Sequence, residues 1–319
     1  MKTFKHSAVL AVLAAAGTSC MIGLPTAHGA LLAYEPFNYT PGSTGTSSAN
    51  TLNGSLPPVP VQSPGFGFTS SGWTVYGANT AVHSSGSYPF AIQSGSLTAS
   101  SNSGALATAG NSLTYNSSIY NGYTDLAYAQ FASPITSAGT TIWYSFLLTP
   151  TSGFNDLMLG SNNANTPTTG FAVGTTGASS GNSFYINAGA GDNTTIAQGG
   201  SAVNGNTYFM VVEDIGATTP GGTDTLNLFV DPTPGATAPT TSSPSFVLTN
   251  NQLKTGSLNF LMLGVGNAAS WDEFRAGTSY ADVAPAAPEP ATLGLFAVGA
   301  LGFIASGLTK RRIKSGRPV

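Results

Sequence analysis

Between residues 30 and 285 the sequence is a series of short runs rich in β-branched and aromatic residues, separated by clusters of Gly, Asn, Ser, Pro and Asp. The segments TTIWYSFLL at residues 140–148, TYFMVVED at 207–214 and DTLNLFVD at 224–231 all alternate with a period of two. That is the period of a β-strand, and no run of comparable length has helical spacing. Many short strands broken by turn residues predict one all-β sandwich over residues 30–284.

The alternation also predicts which side chains share a face. Ile142, Tyr144, Phe146 and Leu148 should lie on one side of their strand, with Trp143 and Leu147 on the other. The tetrapeptide LMLG occurs twice, at residues 157–160 and 261–264. We interpret the two copies as similar core strands, because a tandem repeat would share more than four residues.

Charge is scarce in this chain. Only 7% of residues are charged, against about 25% in ordinary globular domains, while 41% are hydrophobic and allow a buried core. The central body contains two basic residues, Lys254 and Arg275, and eleven acidic ones, for a formal charge of −9. Such a body would repel nucleic acid and anionic lipid. Since Cys20 is the only cysteine, the body has no internal disulfide and no thiolate metal site.

The N-terminal residues have the pattern of a signal peptide. MKTFKH supplies a short positive region, SAVLAVLAAAG supplies an apolar one, and Pro25 breaks the apolar stretch. We predict a signal peptide at residues 1–29, with export through the Sec translocon and removal by signal peptidase. Two alternatives stay open, a retained N-terminal anchor and a lipoprotein cleaved before Cys20.

The C-terminal residues have the pattern of a membrane span. Residues 291–309 carry no charge and no proline, and nineteen helical residues cover about 28 Å, close to the hydrocarbon thickness of a bilayer. A basic cluster comes directly after them, formed by Lys310, Arg311, Arg312 and Lys314. The positive-inside rule keeps this cluster cytoplasmic, so the acidic body should face outward. The alternative is a buried core helix.

Pro288-Glu289-Pro290, the apolar segment and Lys310-Arg311-Arg312 stand in a fixed order that resembles the C-terminal sorting signal of PEP-CTERM proteins. The resemblance assigns residues 285–319 to this signal and implies export through the inner membrane of a Gram-negative bacterium. It further implies an exosortase that recognises Glu289, cleaves near the Pro-Glu-Pro motif, and transfers the body to the cell surface or medium. The membrane would then be only a transient partner. Both prolines disfavour helix and keep this stretch extended, as an enzyme cleft requires.

The body has a second resemblance. LLAYEPFNY at residues 31–39, NTYFMVVEDIGATTPGGTDTLNLFVDPTPG at 206–235 and WDEFRAGTSYADVAP at 271–285 resemble laminin-G/concanavalin A-like sandwiches. The resemblance implies a jelly-roll fold and no particular ligand. Because some sandwiches of this type hold Ca²⁺, Asp192, Asn193 and Asp224 are candidate ligands in oxygen-rich loops. Ordinary turn chemistry is the alternative for these residues, and no other cofactor is expected.

Carbohydrate binding would use aromatic faces beside amide groups. The candidates are Trp73, Tyr76, Trp143 and Trp271, each of which also fits a core position. Catalysis has weaker support, because Glu213-Asp214 and Asp272-Glu273 are adjacent pairs whose side chains should point to opposite faces of a strand. We interpret Asp272, Glu273 and Arg275 as a salt-bridged edge. The sequence thus predicts a non-enzymatic surface or matrix protein associated with extracellular polysaccharide. A concanavalin-like glycoside hydrolase and a ligand-free spacer are the alternatives.

Overall fold

Fifteen strands and one short helix make up the part of the chain that the computed structural model describes. The described residues are 29–39, 65–70, 72–77, 90–99, 106–115, 125–151, 153–162, 170–177, 182–188, 196–219, 222–235, 237–240, 245–247, 257–265 and 268–287. The strands are β1 (Leu31–Glu35), β2 (Thr74–Gly77), β3 (Phe90–Gln93), β4 (Ser112–Tyr115), β5 (Asp125–Ile135), β6 (Thr141–Pro150), β7 (Asn155–Gly160), β8 (Gly170–Thr175), β9 (Phe184–Ala188), β10 (Ile196–Gly199), β11 (Tyr208–Ile215), β12 (Thr225–Val230), β13 (Ser245–Val247), β14 (Leu258–Val265) and β15 (Ala269–Gly277), and the helix is α1 (Tyr280–Val283).

The strands form two sheets in which every pairing is antiparallel. The eight-stranded sheet has the order β13-β12-β11-β6-β15-β4-β3, and β1 pairs with β15 beside β4. The seven-stranded sheet has the order β10-β9-β8-β7-β14-β5-β2. The all-β, two-sheet prediction is therefore confirmed, and the jelly-roll assignment stays a prediction.

The two sheets pack face to face around one hydrophobic core. Aromatic pairs cross the interface, such as Tyr144 with Phe171, whose ring centroids lie 5.4 Å apart, and Phe184 with Tyr208, at 4.9 Å. The predicted alternation of β6 is confirmed. Its core face carries Ile142, Tyr144, Phe146 and Leu148, and its opposite face carries Trp143 and Leu147.

The two LMLG copies are neighbouring strands. Leu157–Gly160 ends β7, Leu261–Gly264 lies in β14, and the two strands pair so that Met158 faces Met262 across the ladder. Both Met side chains lie on the outer face of the sheet and the Leu side chains enter the core. The interpretation as two similar core strands is confirmed.

The outer face of the eight-stranded sheet is covered by the end of the body. Trp143 stacks on Phe229 with centroids 6.0 Å apart and meets the edge of Tyr280, in α1, at 5.4 Å. The Asp282 carboxylate accepts hydrogen bonds from the Ser279 N–H and hydroxyl and so closes the start of α1. No helix among the described residues is long and apolar enough to cross a membrane; the predicted span at 291–309 lies outside them.

Candidate functional site

The three tryptophans predicted to stack on sugar lie inside the fold. Trp73, Trp143 and Trp271 are 3%, 7% and 1% exposed. An aromatic platform needs a ring face open to solvent, and these rings instead pack against neighbouring side chains. Tyr76 lies in β2, the edge strand of the seven-stranded sheet, with its side chain outside the described part.

Most of the other predicted site residues fall outside the described residues. These are the sorting-motif residues Pro288, Glu289 and Pro290, the basic residues Lys310, Arg311, Arg312 and Lys314, and the loop residues Asp192 and Asn193.

Glu35, at the end of β1, organises a buried polar cluster. Its carboxylate accepts hydrogen bonds from the Tyr39 hydroxyl at 2.6 Å, the Phe37 N–H at 2.7 Å, and the Gly65 N–H and Trp73 Nε1–H, each at 3.1 Å. Burial raises the pKa of Glu35, and these donors act against that rise. These hydrogen bonds connect the end of β1 to the segments that contain Gly65 and Trp73.

A second buried cluster surrounds Glu273. Its Oε2 accepts hydrogen bonds from Arg275 Nη2 at 2.7 Å and from the Tyr34 hydroxyl at 3.0 Å, and the Arg275 guanidinium lies 4.8 Å from the centre of the Tyr34 ring. The predicted ion pair is thus present, but it is buried within the sheet and does not lie at an edge. β15 has β6 on one side and both β4 and β1 on the other.

The prediction that the Asp272 and Glu273 side chains point to opposite faces is wrong. A β-bulge places two residues of β15 opposite one residue of β6, and Glu273 has φ of 56°. Trp271 and Phe274 both enter the core, so Asp272 and Glu273, which lie between them, share the outer face. Asp272 accepts a hydrogen bond from the Leu97 N–H at 2.8 Å and Glu273 accepts one from the Ala109 N–H. Both acidic residues are buried, at 0% and 1% exposure.

The outer face of the seven-stranded sheet carries a second set of polar and aromatic side chains, most of them also buried. We call the Asp156 face the set formed by Asp156 and Met158 on β7, Tyr185 and Asn187 on β9, Tyr128 on β5 and Phe260 and Met262 on β14. Strand alternation puts these side chains opposite the core. The aromatic members make edge contacts, Tyr128 with Phe260 at 5.9 Å and Tyr185 with Phe154 at 6.2 Å.

The polar centre of the Asp156 face is a hydrogen bond from the Tyr185 hydroxyl to Asp156 Oδ2, 2.6 Å long. Asp156 keeps some exposed surface but is closely surrounded by protein atoms, and burial raises its pKa to about 6 although the bond from Tyr185 lowers it. Asn187 is 4% exposed, and its amide oxygen has no hydrogen-bond partner. A buried amide oxygen without a partner is costly, which makes it a natural point of contact for a ligand hydroxyl.

Asp224, the one described residue of the predicted metal site, lies close to a second buried carboxylate. Asp214 and Asp224 are both fully buried, and the charge of Asp224 helps to raise the pKa of Asp214 to about 7, after burial as the main cause. Among the described residues, no group of three or more His, Cys, Asp and Glu side chains could hold a metal ion. A site here would therefore need neutral oxygen ligands as well.

Comparison with known proteins identifies the C-terminal segment. Residues 286–312 match the PEP-CTERM protein-sorting motif, which confirms the resemblance of this segment to that sorting signal. The match covers that segment alone. No curated protein matches the chain significantly.

The body has distant structural relatives. The globular domain of T. cruzi calreticulin has 12% sequence identity and a TM-score of 0.40, over 78% of this chain and 89% of that one. Domain 4 of an extracellular arabinanase from Geobacillus stearothermophilus, in complex with arabinotriose, has 12% identity and a TM-score of 0.40, over 81% and 99%. A PL-14 alginate lyase from Aplysia kurodai has 9% identity and a TM-score of 0.37, over 75% and 100%. These likenesses are too distant to assign a ligand or an activity.

Proposed function

We propose that this chain is an exported surface or matrix protein, processed by an exosortase at Pro288-Glu289-Pro290, whose body associates with neutral extracellular polysaccharide. The observation that carries the sorting role is the motif match at residues 286–312, which begins where the folded body ends. The Gly235 N–H binds the Ala284 carbonyl at 2.8 Å and the Ala107 N–H binds the Pro285 carbonyl at 2.9 Å. The chain is thus hydrogen-bonded into the body up to Pro285, and the Pro-Glu-Pro motif follows outside that hydrogen-bonded part.

The Asp156 face supports the association with polysaccharide. It combines aromatic and Met side chains with an amide oxygen and a hydroxyl–carboxylate pair, and such mixtures bind ligands through apolar contact while a few polar groups set the orientation. Because Tyr185 and Asn187 are each 4% exposed and Met262 is 0% exposed, a sugar must displace the groups that cover this face in order to reach them. The described residues contain one basic side chain, Arg275, and it is buried against Glu273. Because this part of the body has no exposed cation to pair with an acidic sugar, the charges favour a neutral polysaccharide.

The sorting role is tested by replacing Glu289 in the producing bacterium. We expect Glu289→Ala to leave the protein full-length and membrane-bound, since the carboxylate between the two prolines is the group the exosortase recognises. Mass spectrometry of the mature C-terminus measures this, with Glu213→Gln as a control that removes a carboxylate elsewhere. The same shortened C-terminus in the Glu289→Ala protein would contradict the sorting role.

The binding role is tested with the processed protein on native gels that contain a soluble neutral β-glucan, or alginate as an acidic comparison. We expect retardation by the neutral polysaccharide, weakened about tenfold by Asn187→Ala, because that change removes one hydrogen-bond acceptor worth about 1.4 kcal/mol. The exposed Val203→Ala change should leave retardation unaltered. Release of reducing sugar by the protein would instead favour a glycoside hydrolase.

A further inference from the structure

Asp214 and Asp224 lie on the core face of the eight-stranded sheet, at the same end of a hairpin. Asp214 is the penultimate residue of β11 and pairs with Leu226 of β12, which enters the core. Asp224 precedes β12 and is two residues before Leu226, so alternation gives it the same face. Tyr144 of β6 pairs with Val212 and points its ring into the core beside the two carboxylates.

These three side chains bury oxygens that have no protein partner. Asp214, Asp224 and Tyr144 are 0%, 0% and 1% exposed. Both oxygens of Asp214, Oδ2 of Asp224 and the Tyr144 hydroxyl make no hydrogen bond. Oδ1 of Asp224 accepts the Ala217 N–H at 2.7 Å. Ser137 lies beside Asp214 and lowers its pKa, without forming a well-shaped hydrogen bond.

Two buried carboxylates without partners are too costly to remain charged and alone. Protons on the carboxyl groups or a bound cation must neutralise them, since the one described basic side chain, Arg275, is engaged by Glu273. A proton held by one carboxyl group alone would leave a buried O–H donor without an acceptor, because both oxygens of Asp214 and Oδ2 of Asp224 make no hydrogen bond. A shared proton would form a hydrogen bond between the two carboxyl groups. No such bond joins them, and the Tyr144 hydroxyl, whose pKa both carboxylates help to raise, donates to neither.

We propose that Asp214, Asp224 and Tyr144 hold a hard divalent cation, Ca²⁺, between the two sheets. Ligand oxygens lie about 2.3–2.6 Å from a bound Ca²⁺ and so sit close to one another without hydrogen bonding among themselves. The loop that contains Ser137 meets the end of β11 here, where the Gly216 N–H binds the Thr140 carbonyl at 2.9 Å and the Gly139 N–H binds the Ala217 carbonyl at 3.0 Å. Each of these carbonyl oxygens keeps a second lone pair that a cation could use. The cation would hold the β11–β12 hairpin against the loop before β6. Asp224 was a predicted ligand, and its partner is Asp214 in place of Asp192 and Asn193.

The experiment measures the thermal unfolding of the purified full-length protein, solubilised in detergent, with EDTA or with Ca²⁺. At a hundredfold excess over the Kd, Ca²⁺ should raise the Tm of the wild type by about 5–10 °C. Asp214→Asn and Asp224→Asn should each abolish this shift. Glu213→Gln is the matched control, because Glu213 is the neighbouring carboxylate on the opposite face of β11, and it should keep the full shift.

Terbium luminescence gives a second readout that does not depend on stability. Tb³⁺ bound beside Tyr144 should emit when the tyrosine ring is excited, and Ca²⁺ should quench this emission by competition. The Tyr144→Phe variant should lose most of this emission. Cooperative unfolding of the same variant would show that it is still folded. A Ca²⁺ shift that survives both Asp→Asn changes would overturn the proposal. So would the absence of any Ca²⁺-induced shift in the wild type.

Discussion

Burial, and no charged neighbour, changes the pKa of Asp156. Its pKa is raised from 3.8 to about 6, and burial is the largest cause. Since the folded protein then holds the proton more tightly than the unfolded chain, this group lowers the free energy of unfolding as the pH rises from about 4 to 6. A carboxylate stabilised by a cation has a lowered pKa and does the reverse, since it raises the free energy of unfolding as the pH rises.

Removing the Tyr185 hydroxyl should raise the pKa of Asp156 further. The hydroxyl donates to Oδ2 at 2.6 Å and favours the charged carboxylate, so Tyr185→Phe should move the titration above pH 6. A ¹³C NMR titration of the Asp156 carboxyl carbon measures this directly. Tyr128→Phe, on the same face, is the control and should leave the titration in place. A titration unchanged or lowered in Tyr185→Phe would show that the hydroxyl is not a donor to the charged form.

At the scale of elements, β15 pairs with two different strands, β4 and β1, along the same edge. Ala269, Ser270 and Trp271 pair with β4, whereas the segment from Phe274 to Gly277 pairs with β1. The bulge falls between the two pairings, and Glu273 in its left-handed conformation turns toward Arg275. The ion pair therefore fixes the point where the strand changes partners.

Breaking this ion pair should be severely destabilising. Glu273→Ala would leave the Arg275 guanidinium buried without its carboxylate and should lower the free energy of unfolding by about 3–5 kcal/mol. The double change Glu273→Gln with Arg275→Met should be milder, since it leaves no buried charge. Urea unfolding measures both. The control is Glu213→Gln, because Glu213 is a half-buried carboxylate that accepts a hydrogen bond from Asn227. This change should lower the free energy of unfolding by less than about 1.5 kcal/mol. An equally small loss for Glu273→Ala would contradict the argument.

The strands of this body could be predicted from the sequence where hydrophobic residues alternate with a period of two. The period of two in residues 140–148 gave both faces of β6 correctly, because burial on each face selects alternate residues. The bulge at Glu273 has no such signal, since a non-glycine residue with positive φ depends on the packing around it. Asp156, Asn187 and Asp214 were missed as site residues for a related reason. Each becomes distinctive only through strands that are distant in sequence.

At the scale of the whole molecule, the body and its sorting signal meet with almost no spacer. Leu106 and Ala286 form an antiparallel bridge, and the Ser145 hydroxyl holds the Val283 carbonyl at 2.6 Å. Between that bridge and Pro288 there is one residue, Ala287. We predict that this short spacing leaves no room for an enzyme cleft around an extended Pro288-Glu289-Pro290 segment while the bridge is closed. On this prediction the segment ending at Ala286 releases from Leu106 before processing.

Locking this segment should stop processing. In the bridge, the Ala107 N–H binds the Pro285 carbonyl, so Leu106 and Ala286 form a non-hydrogen-bonded pair with Cα atoms about 4.5 Å apart, a separation that accepts a disulfide. Since Cys20, the only cysteine, lies in the predicted signal peptide at residues 1–29, Leu106→Cys with Ala286→Cys should form one defined bond after export. We expect the unprocessed form to accumulate, as measured by mass spectrometry of the C-terminus. Reductant in the medium should restore cleavage, and the double Ser variant should be processed normally.

A spacer separates this steric effect from damage to the fold. Four Gly and Ser residues inserted between Ala287 and Pro288 add up to about 13 Å of extended chain, enough to present the motif clear of the body. The insertion should restore processing of the locked protein without reductant, since the bridge could then stay closed while the cleft is filled. Processing of the locked protein at the wild-type rate, with no insertion, would show that the exosortase reaches its motif beside the closed body and that no release is required.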